Sequence, residues 1–225
     1  MQDHQQCWYR QSIQLRHQVI VDVGANVGAL SQFFWDASEG TSRLISIEPL
    51  PQNVALLDER IRRAGASAWT VEACAVSSVE GEALMGAFRL PECGWNGVLA
   101  STQGVQVTVQ ARRLSRLVPD ATVIKVDIEG HEYDVLDEAL PHLSSVHTWA
   151  LELHMVNSRP LEQVLAQLTS YNYRLFVASR SPSAQNGPWV SAPIPPNLSW
   201  DQIPVAKRRP DGSVFKMLHL IATRV

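Results

Sequence analysis

Cysteine is scarce in this chain of 225 residues, and the three present, Cys7, Cys74 and Cys93, lie far apart. That spacing suits neither a disulfide framework nor a zinc site, in which cysteines recur in close pairs. The first seven residues are polar and lack the charged-then-apolar order of a secretory signal. We therefore expect reduced thiols and a cytoplasmic protein.

Long apolar runs and an excess of positive charge are also missing. No stretch approaches the ~18–20 consecutive apolar residues of a membrane span. The net charge of −3 and a pI near 6.2 give no electrostatic reason to expect nucleic acid. We expect neither membrane nor nucleic acid as a partner, and a small-molecule ligand instead. Hydrophobic residues make up 45% of the chain, enough for a real core.

The most informative stretch present runs from Val19 to Ser31. Five mostly apolar residues form a predicted strand, which is followed by a turn of small residues and the start of a helix. Glycine lets a backbone approach a ligand closely because it has no Cβ. The free amide groups of a new helix suit an electron-rich ligand group.

Two later predicted strands also end in an acid, at Glu48 and at Asp127. Strands alternate with amphipathic helices through most of the chain, which predicts an α/β fold with a parallel sheet covered on both faces. Residues 76–117 lack helical periodicity and predict a hairpin insertion. Residues 181–213 are rich in proline, which excludes a regular helix there. A long loop of this kind is usually a functional lid or a disordered segment, and its tryptophans favour a substrate lid loop.

We expect a single domain over residues 1–225, with residues 1–17 as an N-terminal extension. The length fits one layered α/β domain.

The glycine spacing of the first turn excludes a nicotinamide fingerprint. That motif needs glycines at the first, third and sixth positions of the turn, whereas Asn26 and Ala29 occupy the third and sixth positions counted from Gly24. An acid two residues before the first glycine and a further glycine four residues after it resemble motif I of class I S-adenosylmethionine-dependent methyltransferases.

Glu48 adds to this signal, because it stands where an acid typically accepts hydrogen bonds from a ribose.

Further blocks make the resemblance more specific. In the expected order, the chain is similar to the hallmark blocks of the FkbM-type methyltransferases at residues 20–28, 48–53 and 124–132, with a looser block at 151–154. The resemblance implies a Rossmann-like, seven-stranded, mostly parallel sheet with helices on both faces. It also implies O-methylation of a sugar or natural product with S-adenosylmethionine as cofactor.

Residues carried over by match imply a cofactor site. Its members are small or polar residues of the matching blocks: Asp22, Gly24, Asn26, Gly28, Glu48 and Asn53. Cys74 and Ala75, which close the third strand, are implied to lie near the adenine. We expect Asp127 to reach the same cleft, where it would either hold the ammonium group of the cofactor or act as a base.

Glu152 and His154 complete the candidate catalytic set with Asp127. They lie two residues apart on a predicted strand and so share a face. Histidine is a plausible general base near pH 7. The same groups could serve structural hydrogen bonds or bind a divalent metal, but the sequence offers no decisive ligand spacing, and we predict no metal.

We expect an O-methyltransferase acting on a small molecule of secondary metabolism. Two alternatives stay open: an N- or carboxyl-methyltransferase on the same scaffold, and a catalytically silent protein that binds S-adenosylmethionine. Trp95, Trp189 and Trp200 lie in loops and could wall off the acceptor; ordinary local packing explains them equally well.

Overall fold

Short apolar strands followed by amphipathic helices build the first two thirds of the chain. The computed structural model describes residues 2–87, 105–155, 159–180, 189–195, 197–204, 207–208 and 214–224. Its contacts divide the chain into two units, one formed by residues 14–146 and the other by residues 1–13 with 147–225.

The helices and strands are numbered here in chain order. They are α1 (Gln2–Ser12), β1 (Val19–Val23), α2 (Ala29–Ala37), β2 (Arg43–Ile47), α3 (Pro51–Ala64), β3 (Trp69–Glu72), β4 (Ala75–Val76), β5 (Gly81–Ala87), β6 (Val105–Arg112), α4 (Leu114–Leu117), β7 (Val123–Val126), α5 (Glu132–Ala139), β8 (Thr148–His154), α6 (Leu161–Ser170), β9 (Tyr173–Arg180), β10 (Trp189–Pro193), β11 (Lys207–Arg208), β12 (Val214–Phe215) and β13 (Met217–Arg224). A short 3₁₀ helix covers Trp200–Gln202.

The contiguous unit, residues 14–146, contains a parallel sheet in the order β7–β1–β2–β3. Val21 of β1 lies between Ile45 of β2 and Ile124 of β7. All three side chains are buried, as expected for a parallel strand that is covered on both faces. The carboxyl ends of these strands therefore meet at one edge of the sheet.

The predicted hairpin is confirmed in the same unit. Strands β5 and β6 pair antiparallel, from Gly81 opposite Ala111 to Ala87 opposite Val105, and β4 joins them in a separate three-stranded sheet. Its buried side chains pack in a small cluster with Leu50, which precedes α3. Trp95, which is expected in a loop, lies outside the described residues.

The second unit, residues 1–13 with 147–225, contains an antiparallel set in the order β8–β13–β9–β10. Helix α1, in the predicted N-terminal extension, belongs to this unit. Its Trp8 is fully buried and donates its indole N–H to Ser191 Oγ on β10 at 2.9 Å.

The predicted α/β class is confirmed, but the strand count differs. The parallel set β7–β1–β2–β3 and the antiparallel set β8–β13–β9–β10 have four strands each. The described residues therefore contain eight such strands, whereas seven were expected. The additional strand, β10, lies in the proline-rich segment predicted as a loop. Proline is tolerated in a strand at an edge of a sheet, and Pro193 closes β10 there.

Other parts of residues 181–213 lie outside the described residues, so the lid stays a prediction. Among the helices described, none is long and apolar enough to cross a membrane.

Candidate functional site

An open cleft lies at the carboxyl ends of β1, β2 and β7 in the contiguous unit. Six of the predicted site residues line it: Gly24, Asn26, Glu48, Cys74, Ala75 and Asp127. They come from segments far apart in the sequence, and the parallel sheet gathers them at one edge. This is where ligands bind in open α/β sheets.

Gly24 begins the turn after β1 and leaves no room for a side chain. Its φ of +77° is left-handed, and a Cβ added there would lie 1.9 Å from the backbone oxygen of Asp127. The amides of Gly24 and Ala25 both donate to the carbonyl of Ile47, at 3.0 and 3.1 Å. The turn is therefore held against the ends of both neighbouring strands, which requires glycine.

Glu48 is held firmly at the wall of the cleft. Its Oε2 accepts the backbone amide of Asn26 at 2.9 Å, and its Oε1 accepts the amide of Leu50 at 3.0 Å. The side-chain amide of Asn53 donates to Oε1 at 3.2 Å and to Asn26 Oδ1 at 3.1 Å. A carboxylate offers about four acceptor sites, so Glu48 keeps capacity for a ligand hydroxyl.

Burial raises the pKa of Glu48 above its usual 4.5, because a buried carboxylate loses its hydration. The hydrogen bonds from the amides of Leu50 and Asn26 and from Asn53, together with the charge of Lys125, act in the opposite direction.

Asp22, at 0% exposure, lies behind the cleft rather than on its wall. Ser31 donates its hydroxyl to Asp22 Oδ2 at 2.6 Å, and Lys125 Nζ lies 3.1 Å from Asp22 Oδ1. Asp127, whose side chain is 28% exposed, faces the cleft, and its Oδ2 lies 3.6 Å from the same ammonium. Any effect of Asp22 on a ligand must therefore pass through its neighbours.

Gly28 and Asn53 also lie behind the cleft. Gly28 precedes α2 with a φ of +80°, and a Cβ added there would lie 2.4 Å from Leu57 Cδ2 on α3. Asn53 is fully buried and holds Glu48 and Asn26 together. Both residues shape the site without lining it.

One wall of the cleft is largely apolar and small. Cys74, Ala75, Val76 and Met85 line it, which suits a flat heteroaromatic group. Burial raises the pKa of the Cys74 thiol to about 11, and the charge of Glu72 adds to that rise. Cys74 is therefore a neutral wall residue rather than a nucleophile at pH 7.

The loop after β7 is organised by Glu132. Glu132 Oε1 accepts the backbone amides of Ile128 at 3.1 Å and Gly130 at 3.0 Å. Glu132 is fully buried, so its role is to hold this loop, whereas Glu129 lines the cleft with a left-handed φ of +56°.

Glu152 and His154 lie on β8 of the second unit. His154 is buried, and its Nε2 lies 3.8 Å from Glu152 Oε1. His219 of β13 stands directly opposite Glu152, and its Nδ1 lies 3.4 Å from Glu152 Oε2. The sequence did not reveal His219. Only the pairing register of β13 with β8 places its imidazole at Glu152.

A model of the methyltransferase FkbM domain matches residues 22–175, more than half of the chain. The chain belongs to the FkbM methyltransferase family. The predicted family is thereby confirmed, and its cofactor is S-adenosylmethionine. A search of the curated proteins finds no significant match.

Solved structures support the fold. An FkbM methyltransferase from Methylobacillus flagellatus matches with a TM-score of 0.56 and 21% identity, over 83% of this chain and 46% of that one. An S-adenosylmethionine-dependent O-methyltransferase from Thermotoga maritima matches with a TM-score of 0.51 and 13% identity, over 100% and 65%. A precorrin-6y C5,15-methyltransferase from Geobacter metallireducens matches with a TM-score of 0.50 and 14% identity, over 96% of this chain and 84% of that one. The chain thus spans about half of the length of the FkbM relative.

The chemistry of the cleft fits the family cofactor. S-adenosylmethionine carries a ribose diol, an adenine and two cationic groups. The cleft offers the acceptor oxygens of Glu48, a small apolar wall beside Ala75, and the carboxylate of Asp127.

Proposed function

We propose that this FkbM-family chain is an active methyltransferase that transfers a methyl group to a hydroxyl of a sugar or small natural product. The observation that supports a cofactor-using enzyme most directly is the fixed position of the Glu48 side chain. Its carboxylate is pinned by two backbone amides at the wall of the cleft. Such a carboxylate is oriented before a ligand arrives, which reduces the entropy lost on binding.

In this proposal each cleft residue holds a different part of the cofactor. Glu48 accepts hydrogen bonds from the ribose hydroxyls. Cys74, Ala75 and Val76 pack on the adenine, and Asp127 pairs with the ammonium group. Asp22, Gly28 and Asn53 contribute by holding these residues in place.

Bound S-adenosylmethionine supplies an electrophilic methyl group. The protein must then orient the acceptor hydroxyl and remove its proton. We assign the proton transfer to the pair on β8, Glu152 and His154, whose facing atoms are 3.8 Å apart. A positioned base contributes about 10²–10⁴-fold to such a reaction.

The O-directed assignment is supported by the base. A hydroxyl is a weak nucleophile until its proton is removed, whereas a neutral amine or a carboxylate attacks without prior deprotonation. An acid–histidine pair is thus most useful to an enzyme that methylates oxygen in alcohols or phenols.

Two measurements test the proposal. Calorimetric titration of the full chain with S-adenosylmethionine and with NADH is expected to show binding of the first alone; binding of NADH alone would overturn it. Transfer of labelled methyl groups to matched panels of sugars, phenols, amines and carboxylic acids is expected to label a hydroxyl. Labelling of amines or acids alone would assign the N- or carboxyl-directed alternative. Cofactor binding without transfer to any panel would favour a silent binding protein.

A further inference from the structure

Lys125 has a position that the cofactor site does not by itself explain. It lies in β7, where apolar residues are the rule, and it is only 3% exposed. Its ammonium nitrogen lies 3.1 Å from Asp22 Oδ1, 3.6 Å from Asp127 Oδ2 and 3.4 Å from the carbonyl oxygen of Gly24. A buried charge is costly unless it is paired and hydrogen-bonded, and these contacts supply the pairing.

The sheet itself places these groups together. Asp22 of β1 and Lys125 of β7 are register partners in the parallel pair. Asp127 follows Lys125 by two residues, so both side chains leave the chain on the same face. The ammonium therefore stands between a buried carboxylate and one that faces the cleft.

The charges of this cluster do not cancel. One ammonium and two carboxylates leave one negative charge. Asp22 is fully buried, with Ser31 on its other oxygen. Asp127 is the partly exposed member, and it lines the cleft. The excess charge is therefore presented to a ligand through Asp127.

We infer that Lys125 is a positioning residue of the cofactor site: it fixes the Asp127 carboxylate toward the ammonium group of S-adenosylmethionine. This inference rests on the proposed binding role of Asp127. Lys125 does not touch the cofactor in this arrangement. It acts through the Asp127 carboxylate and the Gly24 carbonyl, which belong to the segments that follow β7 and β1 and line the cleft.

A pair of ligands separates this role from a general structural one. 5′-Methylthioadenosine has the adenine and ribose of the cofactor but lacks the amino acid part. Without the ammonium beside it, the Asp127 carboxylate can turn away from the ligand, and losing one charged hydrogen bond to a ligand typically weakens binding by about 10- to 100-fold. We expect Lys125→Met to weaken the binding of S-adenosylmethionine by that factor. The affinity for methylthioadenosine should stay within about twofold of the original value, as measured by calorimetry on the full chain.

Two further variants keep the test decisive. Lys125→Arg retains a cation and should recover most of the affinity for S-adenosylmethionine. If Lys125→Met does not fold, the double variant Asp22→Asn/Lys125→Met replaces it, because it leaves no unpaired buried carboxylate. The affinities of that double variant for S-adenosylmethionine and methylthioadenosine are then compared in the same way. Arg43→Met, which breaks the exposed pair with Asp120 at the start of β2, is the matched control and should change neither ligand.

Equal weakening of both ligands, or no change in either, would overturn the positioning role. Failure of the unaltered chain to bind S-adenosylmethionine would instead overturn the proposed function. The two failures are therefore distinguishable.

Discussion

Two groups of acids in this molecule are held in opposite ways. In the cleft, Glu48 is pinned by backbone amides and Asp127 lies beside a buried ammonium. On β8, Glu152 lies between two imidazoles, those of His154 and His219. Fixed donors and a lysine hold a carboxylate in place, which suits binding of a cation or a diol. Imidazoles exchange protons near neutral pH, which suits acid–base chemistry.

The comparison predicts that the two groups can be disabled separately. The largest effect is expected from His154→Gln and Glu152→Gln, which should lower kcat by about 10²–10⁴-fold and leave the Kd for S-adenosylmethionine unchanged. Turnover is measured on the acceptor found in the panel, with calorimetry for the cofactor. His142→Gln, on an exposed site, is the control. Full turnover in both variants would show that the base is elsewhere.

The next largest effect is expected at Gly24, which should disable the cleft alone. In Gly24→Ala the new Cβ would meet the Asp127 carbonyl oxygen at 1.9 Å, and backbone atoms cannot rotate away. We expect affinity for S-adenosylmethionine to fall by about 100-fold or more.

Gly65→Ala is the matched control for Gly24→Ala. It also has a left-handed φ but no atom within 4 Å of the added Cβ. It should lose about 1 kcal/mol of unfolding free energy and keep its affinity. Equal affinities in the two variants would contradict the close approach.

A smaller effect is expected from Glu48→Gln. The amide nitrogen cannot accept a hydrogen bond, so one backbone donor or one ribose hydroxyl loses its acceptor, and binding should weaken about 10-fold. Because the ribose is common to both ligands, the binding of S-adenosylmethionine and of methylthioadenosine should weaken by the same factor. In Lys125→Met, by contrast, only the binding of S-adenosylmethionine should weaken. Glu59→Gln, on the exposed side of α3, should change neither. A loss confined to S-adenosylmethionine would assign Glu48 to the amino acid end.

The smallest effect concerns stability and pH. Because burial raises the pKa of Glu48 in the folded state above 4.5, the folded chain holds this proton more tightly than the unfolded chain. The contribution of Glu48 to the free energy of unfolding is therefore fully present below pH 4.5 and is lost as the pH rises through the raised pKa.

Denaturant unfolding of the original chain and of Glu48→Gln between pH 4 and 7 measures this difference. The original chain should lose stability relative to the variant as the pH rises, and parallel curves would refute the assignment.

Much of the cleft could be predicted because its signals are local. Gly24 and Glu48 follow short strands directly, and the ends of parallel strands meet at one edge. The sequence is less informative about which of these side chains face the cleft. Asp22 was predicted at the ligand, yet it is fully buried because its side chain points to Lys125 and Ser31.

The remaining features depend on pairing between distant segments. The contact of Lys125 with Asp22 depends on the register of β1 on β7. His219 meets Glu152 only through the antiparallel pairing of β13 with β8. Strand β10 was hidden because proline-rich stretches are ordinarily irregular.

The division of the chain has a consequence for synthesis on the ribosome. Residues 14–146, which contain the whole cleft, are contiguous in the chain, whereas the other unit joins residues 1–13 to residues 147–225. The partner of Trp8 is Ser191, 183 residues later. At about 5–20 residues per second, helix α1 must wait roughly ten to forty seconds for β10. During that interval its Trp8 and Tyr9, buried in the finished protein, have apolar surface open to chaperones.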